Sequence, residues 1–189
     1  MPSRLSAIMY SEHAIILDAA YITLSLDHSW EEDSLKYENN LALMLDFFTF
    51  YGDKFHHQKE EEIIFRSLLK TDEPDIAMII NEMLEHHDDF RSTVSEIREL
   101  LYRKEYARAQ EKITFYVNTI RDHIINEDEI LFSLMDSIFS KEELDVMYDN
   151  CNVIDEKLGL KYKRELENYV TNLKIKSDEA LQRAAYQLH

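Results

Sequence analysis

Four short stretches of the sequence combine histidine with acidic residues. They read SEHAII from Ser11, FHHQKEEEIIF from Phe55, MLEHHDDFR from Met83 and DHIINEDEILF from Asp122. In the second and fourth stretches a His precedes a Glu by four residues, and this spacing places both side chains on one face of a helix. Imidazole and carboxylate together suit iron and related metal ions. The pattern indicates a metal site, provided that these faces turn inward.

The elements that position these residues are predicted to be helices. The chain has 189 residues with only two Gly and two Pro, so it offers few sites for hairpins. Its length suits a single domain. A net charge of -17 disfavours nucleic acid as a partner, and no apolar run reaches the length of a membrane span or signal peptide. The lone Cys151 excludes an internal disulfide or a Cys-based metal site, so we expect a cytoplasmic protein.

Apolar periodicity predicts an all-α protein with four long helices and two further ones. The long helices run from about Arg4 to Leu26, Tyr37 to Lys70, Pro74 to Tyr102 and Tyr106 to Ser140. After them, Ser140 and Glu143 form a capping-box pattern, Gly159 suits a helix end, and a last helix covers Tyr162 to Leu188. Short connections predict an up-down antiparallel four-helix bundle over residues 1–140, with a helical extension over residues 141–189 packed on the same domain.

The inward faces predicted for the long helices carry four histidines and two glutamates. On the third helix, Met83, His87 and Phe90 follow the repeat of three and four residues. The corresponding positions on the other three helices are Met9, His13 and Ile16; Gly52, His56, Glu60 and Ile63; and His123, Glu127 and Ile130. Lys59, Glu61 and Glu62 are then expected to point outward.

These six polar groups reach similar heights in the bundle, because they lie at comparable distances from the turns that join their helices. Buried carboxylates without partners are costly. A pair of metal ions would neutralise and order such a layer, with carboxylates bridging and imidazoles in terminal positions. A ferritin-like site would instead need Glu three residues before His on two helices, and this chain has no such pair.

At these residues the sequence resembles the hemerythrin-like, or HHE cation-binding, family, over residues from about 5 to 140. The resemblance implies two iron ions per chain, joined by an oxo or hydroxo bridge. It places His13 and His56 on one iron, His87 and His123 on the other, and Glu60 and Glu127 between them. His87 is preferred to His86 because Arg91 stands four residues beyond it. For His28, His57, His86 and His189 a structural role is expected.

Dioxygen-carrying hemerythrins have a fifth His on the third helix, where this chain has Met83 and Arg91. Four His and two Glu look more like bacterial di-iron proteins linked to iron-sulfur cluster repair and nitric oxide stress. We therefore expect a centre that binds or reacts with dioxygen, peroxide or nitric oxide in sensing or stress response. Two alternatives stay open. One is an enzyme-like centre that reduces peroxide or nitric oxide or supplies iron for cluster repair, and the other is a helical interaction module without functional metal. The sequence identifies no protein partner.

Overall fold

The computed structural model describes residues 2–187, and the side chains of residues 2–176. All regular structure in this part of the chain is helical, which confirms the all-α prediction. The α-helices are α1 (Arg4–Leu24), α2 (Ser34–Phe47), α3 (Arg66–Leu69), α4 (Pro74–Tyr102), α5 (Tyr106–Asn126), α6 (Phe132–Ile138), α7 (Lys141–Leu158) and α8 (Leu160–Gln187). A short 3-10 turn at Ser29–Glu31 joins the first two.

Two of the predicted long helices contain wider, π-helical turns. The second long helix runs from α2 into α3 through π-helical segments at Phe48–His57 and Glu60–Phe65. The fourth runs from α5 into α6 through a π-helical segment at Glu127–Leu131. Such segments are rare and occur often at functional sites. Glu60 and Glu127 each stand at the start of one.

The π-helical turns shift the inward face by one residue, because each turn contains one residue more than an α-helical repeat. The predicted inward position of Ile130 is therefore wrong, and that of Ile63 is only partly buried. Ile130 is 50% exposed, whereas Leu131 is 1% exposed. On the second long helix Ile64 is buried and Ile63 only partly so. His56 and His123, one turn before each glutamate, are buried as predicted.

Helix ends follow the local sequence signals. Ser140 accepts a hydrogen bond from the Glu143 amide, and the Glu143 carboxylate accepts one in return, so the capping box that begins α7 is confirmed. Gly159 ends this helix with a φ of 107°, a conformation that side chains with a Cβ rarely adopt. The last helix begins at Leu160, slightly earlier than predicted. Its predicted end at Leu188 lies outside the described residues.

Two apolar clusters fill the interior, and the histidine layer lies between them. On α1, Met9 belongs to one cluster and Ile16 to the other, with His13 between. The same change occurs around His87 on α4, between Met83 and Phe90. The order of the two clusters reverses from each long helix to the next, which supports the predicted up-down arrangement. Polar groups in this layer are therefore closed off by hydrocarbon above and below.

The two C-terminal helices pack against the first two long helices of the bundle. α7 and α8 both contact α1 and the Phe48–His57 segment. The Tyr51 hydroxyl donates a hydrogen bond of 3.0 Å to Glu167 of α8. Among residues 2–187, no helix combines the length and apolar content needed to cross a membrane.

Candidate metal centre

The six residues predicted as metal ligands meet in one layer between the four long helices. None of them is more than 1% exposed. All four imidazoles direct Nε2 towards the two carboxylates, at distances of 3.9 Å or less. The six residues are His13, His56, Glu60, His87, His123 and Glu127.

Glu60 lies between two sets of imidazoles. Its Oε1 is 3.3 Å from His56 Nε2 and 3.8 Å from His13 Nε2. Its Oε2 is 3.5 Å from His87 Nε2. The two oxygens of one carboxylate therefore face opposite halves of the layer, as a bridging ligand requires.

Glu127 is arranged less symmetrically. Its Oε2 lies 3.3 Å from His13 Nε2 and 3.2 Å from His123 Nε2. Its Oε1 is 3.9 Å from His87 Nε2. The Nε2 atoms of His87 and His123 are 3.2 Å apart, close enough to serve one ion. Glu127 thus contacts imidazoles from both proposed pairs.

The centre contains several ligand-type atoms that no described side chain satisfies. Both oxygens of Glu60, both oxygens of Glu127 and Nε2 of His13 are inaccessible to solvent and lack a hydrogen-bond partner among the described residues. Leaving a buried polar atom unpaired costs about 1–3 kcal/mol, and more when the group is charged. Five such atoms facing one small volume fit bound cations far better than they fit a closed protein core.

The electrostatics of the layer also favour added positive charge. Burial and the neighbouring Glu127 raise the pKa of Glu60 well above its usual value. Burial acts in the same direction on Glu127, but His123 and His13 outweigh it and hold its pKa well below its usual value. For His13, burial alone would lower the pKa, but the neighbouring Asp128 and Glu127 raise it to about 9. A metal ion can supply the charge that a proton supplies here.

The imidazoles of His56 and His87 are held in the neutral form that binds metals. Burial, followed by the nearby His13, lowers the pKa of His56 to about 3. Burial is also the largest cause of the lowered pKa of His87. Neither ring therefore needs to lose a proton at neutral pH before it can act as a ligand.

Each of the four imidazoles has its Nδ1 held by a residue from a neighbouring helix. Following the long helices in order, each helix supplies a partner to the next, and the fourth supplies one to the first. Such partners fix the tautomer and ring orientation, so that Nε2 faces the centre. The pairs and their distances are Glu12 with His56, 3.0 Å; Glu61 with His87, 2.9 Å; His86 with His123, 3.3 Å; and Asp128 with His13, 2.6 Å.

Arg91 supports one of these partners. Its guanidinium donates to Glu61 at 2.5 Å and to Asp53 at 2.7 Å, and Glu61 in turn accepts from His87. This chain of contacts gives a physical reason for an Arg four residues after His87. His86, by contrast, is only partly buried and pairs with the outer nitrogen of His123.

A group of four buried charges lies directly behind the centre. Lys59 is 0% exposed, so the prediction that it points outward is wrong. Its ammonium contacts Glu12 and lies 3.2 Å from Asp155 of α7. Lys163 of α8 donates to the same two carboxylates. Sequence reasoning missed this charged quartet (Glu12, Lys59, Asp155 and Lys163) because half of it comes from the C-terminal helices.

The quartet connects the C-terminal helices to the proposed ligand His56 through Glu12. Burial alone would raise the pKa of Glu12, but Lys59, His56 and Lys163 together hold it well below its usual value. Glu12 is therefore ionised at neutral pH and can accept the hydrogen bond from His56 Nδ1.

His57, for which a structural role was expected, lies against the centre. It is 4% exposed, and its ring stacks on that of His87 with 3.8 Å between centroids. Next to His57 is a cavity of about 220 Å³. Its walls combine apolar and polar side chains: Phe48, Thr49, Asp53, Lys54, Phe90, Arg91, Val94 and Tyr116. Of the other histidines in this expectation, His28 is exposed and pairs with Glu31, and His189 lies outside the described residues.

A buried layer of imidazoles and carboxylates between four long helices is the arrangement of a metal-binding helical protein. The sequence model of the Hemerythrin HHE cation binding domain matches residues 4–135. This match covers well over half of the chain, so the protein belongs to that family. Neither the curated proteins nor the solved structures contain a significant match.

Proposed function

We propose that the protein binds two iron ions in a carboxylate-bridged centre, where a small oxidant or gas binds or reacts. The proposed ligands are His13 and His56 for one ion and His87 and His123 for the other, with Glu60 and Glu127 shared. We place this activity in cytoplasmic sensing or stress response. The segment 141–189 is proposed to be a helical extension of the same domain.

The observation that carries the proposal is the set of five unsatisfied buried ligand atoms between the long helices. Hydrogen bonds within the protein leave these atoms unpaired, whereas bound cations would satisfy them. Membership of a cation-binding family supports the same conclusion. Mixed imidazole and carboxylate donors, without a thiolate, suit iron.

Iron at this site would supply redox chemistry and an exchangeable position for a small ligand. The protein's own side chains provide the remaining requirements. Glu60 and Glu127 offset the charge of the cations, and the four outer partners keep each Nε2 directed inward. The apolar clusters above and below exclude water, which strengthens these interactions.

A small cavity lies next to the centre, on the side of His57. The cavity next to His57 measures about 220 Å³, which is below the usual range of pockets for drug-sized molecules. Phe48, Phe90 and Tyr116 give it an aromatic wall. This cavity has room for dioxygen, nitric oxide or peroxide, and His57 separates it from the six proposed ligands, none of which lines it.

The proposal can be tested by loading the protein with Fe(II) without air and adding dioxygen, hydrogen peroxide or nitric oxide separately. We expect a new visible absorption band with at least one of the three. His28→Ala, which alters an exposed histidine, should behave like the wild type, whereas His123→Ala should lose the band. Repeated cycles with a reductant would distinguish turnover from binding. An iron-loaded protein that is inert to all three compounds would refute the assigned ligand class.

A further inference from the structure

One of the four outer partners is connected to the C-terminal helices. Glu12 accepts a hydrogen bond of 3.0 Å from His56 Nδ1 through its Oε2. Its other oxygen contacts the ammonium groups of Lys59 and Lys163, the second at 2.5 Å. Lys163 belongs to α8 and also donates to Asp155 of α7. The surroundings of a proposed ligand therefore depend on residues beyond 135, where the match to the cation-binding family ends.

The other three outer partners have no such connection. Among the described residues, the hydrogen bonds and ion pairs of the Asp128, Glu61 and His86 side chains all involve the four long helices. The side chains of Asp128 and Glu61 are also 33% and 27% exposed, whereas that of Glu12 is 5% exposed. The C-terminal helices therefore act by direct contact on one outer partner of the four.

Two ammonium groups compete with His56 for the charge of Glu12. All four members of the charged quartet are 9% exposed or less, so water and salt screen their charges weakly. A carboxylate that pairs with two cations accepts less strongly from an imidazole N–H, and the opposite ring nitrogen then donates less strongly to a metal ion. Asp155 has the reverse effect, because it draws both ammonium groups away from Glu12.

We propose that α7 and α8 tune the metal ion bound by His13 and His56, through the charge on Glu12. Lys163 weakens the hold of Glu12 on His56, and Asp155 strengthens it. Both are positioning residues, because they act on the ion through Glu12 and His56. This inference rests on the proposed di-iron function and assigns a role in it to the C-terminal helices.

The hydrogen bond itself can be measured by NMR in metal-free protein with 15N-labelled histidine. The Nδ1 proton of His56 is identified as the resonance that His56→Gln removes. A stronger hydrogen bond moves this proton downfield. We expect a downfield shift in Lys163→Met, which leaves more charge on Glu12, and an upfield shift in Asp155→Asn, which turns both lysines towards Glu12. A purely structural role predicts an upfield shift in both variants, because each loosens the same packing.

Affinity for Co(II), followed by visible absorption, measures the effect on the ion. We expect Lys163→Met to bind up to about tenfold more tightly than the wild type and Asp155→Asn up to about tenfold more weakly, since removing such a partner outright changes affinity by about 10–100-fold. Lys163→Arg should stay close to the wild type. Lys161→Met, at a side chain that is 93% exposed on the same helix, is the matched control. Circular dichroism verifies the fold, and Lys163→Gln replaces Lys163→Met if that variant does not fold.

The possible results separate this inference from the function on which it rests. Proton shifts of opposite sign, with opposite changes in Co(II) affinity, would support the inference. Shifts of the same sign, or no shifts, in a protein that binds two ions would overturn the inference alone. A wild-type protein that binds no Co(II) or Fe(II) would overturn the proposed function, and the tuning of its metal ion with it.

Discussion

Removing one carboxylate from the buried charged quartet should destabilise the protein strongly. The quartet contains two carboxylates and two ammonium groups, and each residue is 9% exposed or less. In Asp155→Asn, Lys59 and Lys163 would share Glu12 as their only carboxylate within the quartet. Breaking a buried ion pair by removing one partner costs about 3–5 kcal/mol. Because Asn can still accept a hydrogen bond, we expect a loss near the lower limit, about 3 kcal/mol.

The loss can be measured as the change in the free energy of unfolding in urea. Asp145→Asn is a matched control on α7, because the Asp145 side chain is 41% exposed and its oxygen is 3.8 Å from Arg4. A solvent-accessible pair of this kind contributes at most about 1 kcal/mol. The double variant Asp155→Leu with Lys163→Met removes one charge of each sign and should recover most of the stability. The reasoning fails if Asp155→Asn costs no more than Asp145→Asn, or if the double variant is less stable than Asp155→Asn.

Three further predictions concern single side chains outside the proposed ligands. Gly52→Ala should stabilise the protein by about 0.5–1 kcal/mol in urea unfolding, because an added Cβ meets no atom within 4 Å; a loss of stability would contradict this. Burial raises the pKa of Tyr37 to about 12 and that of Tyr51 and Tyr116 further, so the stability they contribute is complete below pH 10 and falls above it. Absorbance at 295 nm should show these three tyrosines ionising together with unfolding. Ionisation of these three near pH 10 in the folded protein would be inconsistent with their burial. Burial also raises the pKa of Cys151 to about 12, so a thiol reagent should modify it only after unfolding, and rapid modification of the folded protein would show that the thiol is accessible.

The positions of the helices could be predicted from the sequence because apolar periodicity and capping signals are local. Pro74 and Tyr102 bound α4 as predicted, and the Ser140 capping box begins α7. The π-helical turns were not predictable in this way. They shift the inward face from Ile130 to Leu131, and the α-helical repeat contains no signal for the inserted residue.

The candidate site shows the same division between local and long-range information. The layer of six histidines and glutamates follows from helical faces and from motifs that resemble a family. The position of Lys59 depends instead on α7 and α8, which cover its face and supply Asp155 and Lys163. From the sequence alone, a lysine beside a run of glutamates is expected to be solvent-exposed. Its burial becomes evident only from the tertiary packing. The burial of His57 did not follow from the α-helical repeat, because its neighbour His56 already occupied the predicted inward position.

The central claim is that four helices hold two metal ions, and the most direct test is the number of Fe(II) ions bound per chain. Metal-free protein should be titrated without air by equilibrium dialysis, with free iron measured on the protein-free side. We expect two ions per chain in the wild type and weaker binding when both Glu60→Gln and Glu127→Gln are present, because the shared carboxylates lose their charge. Saturation at one ion per chain or fewer in a correctly folded wild-type protein would contradict the account.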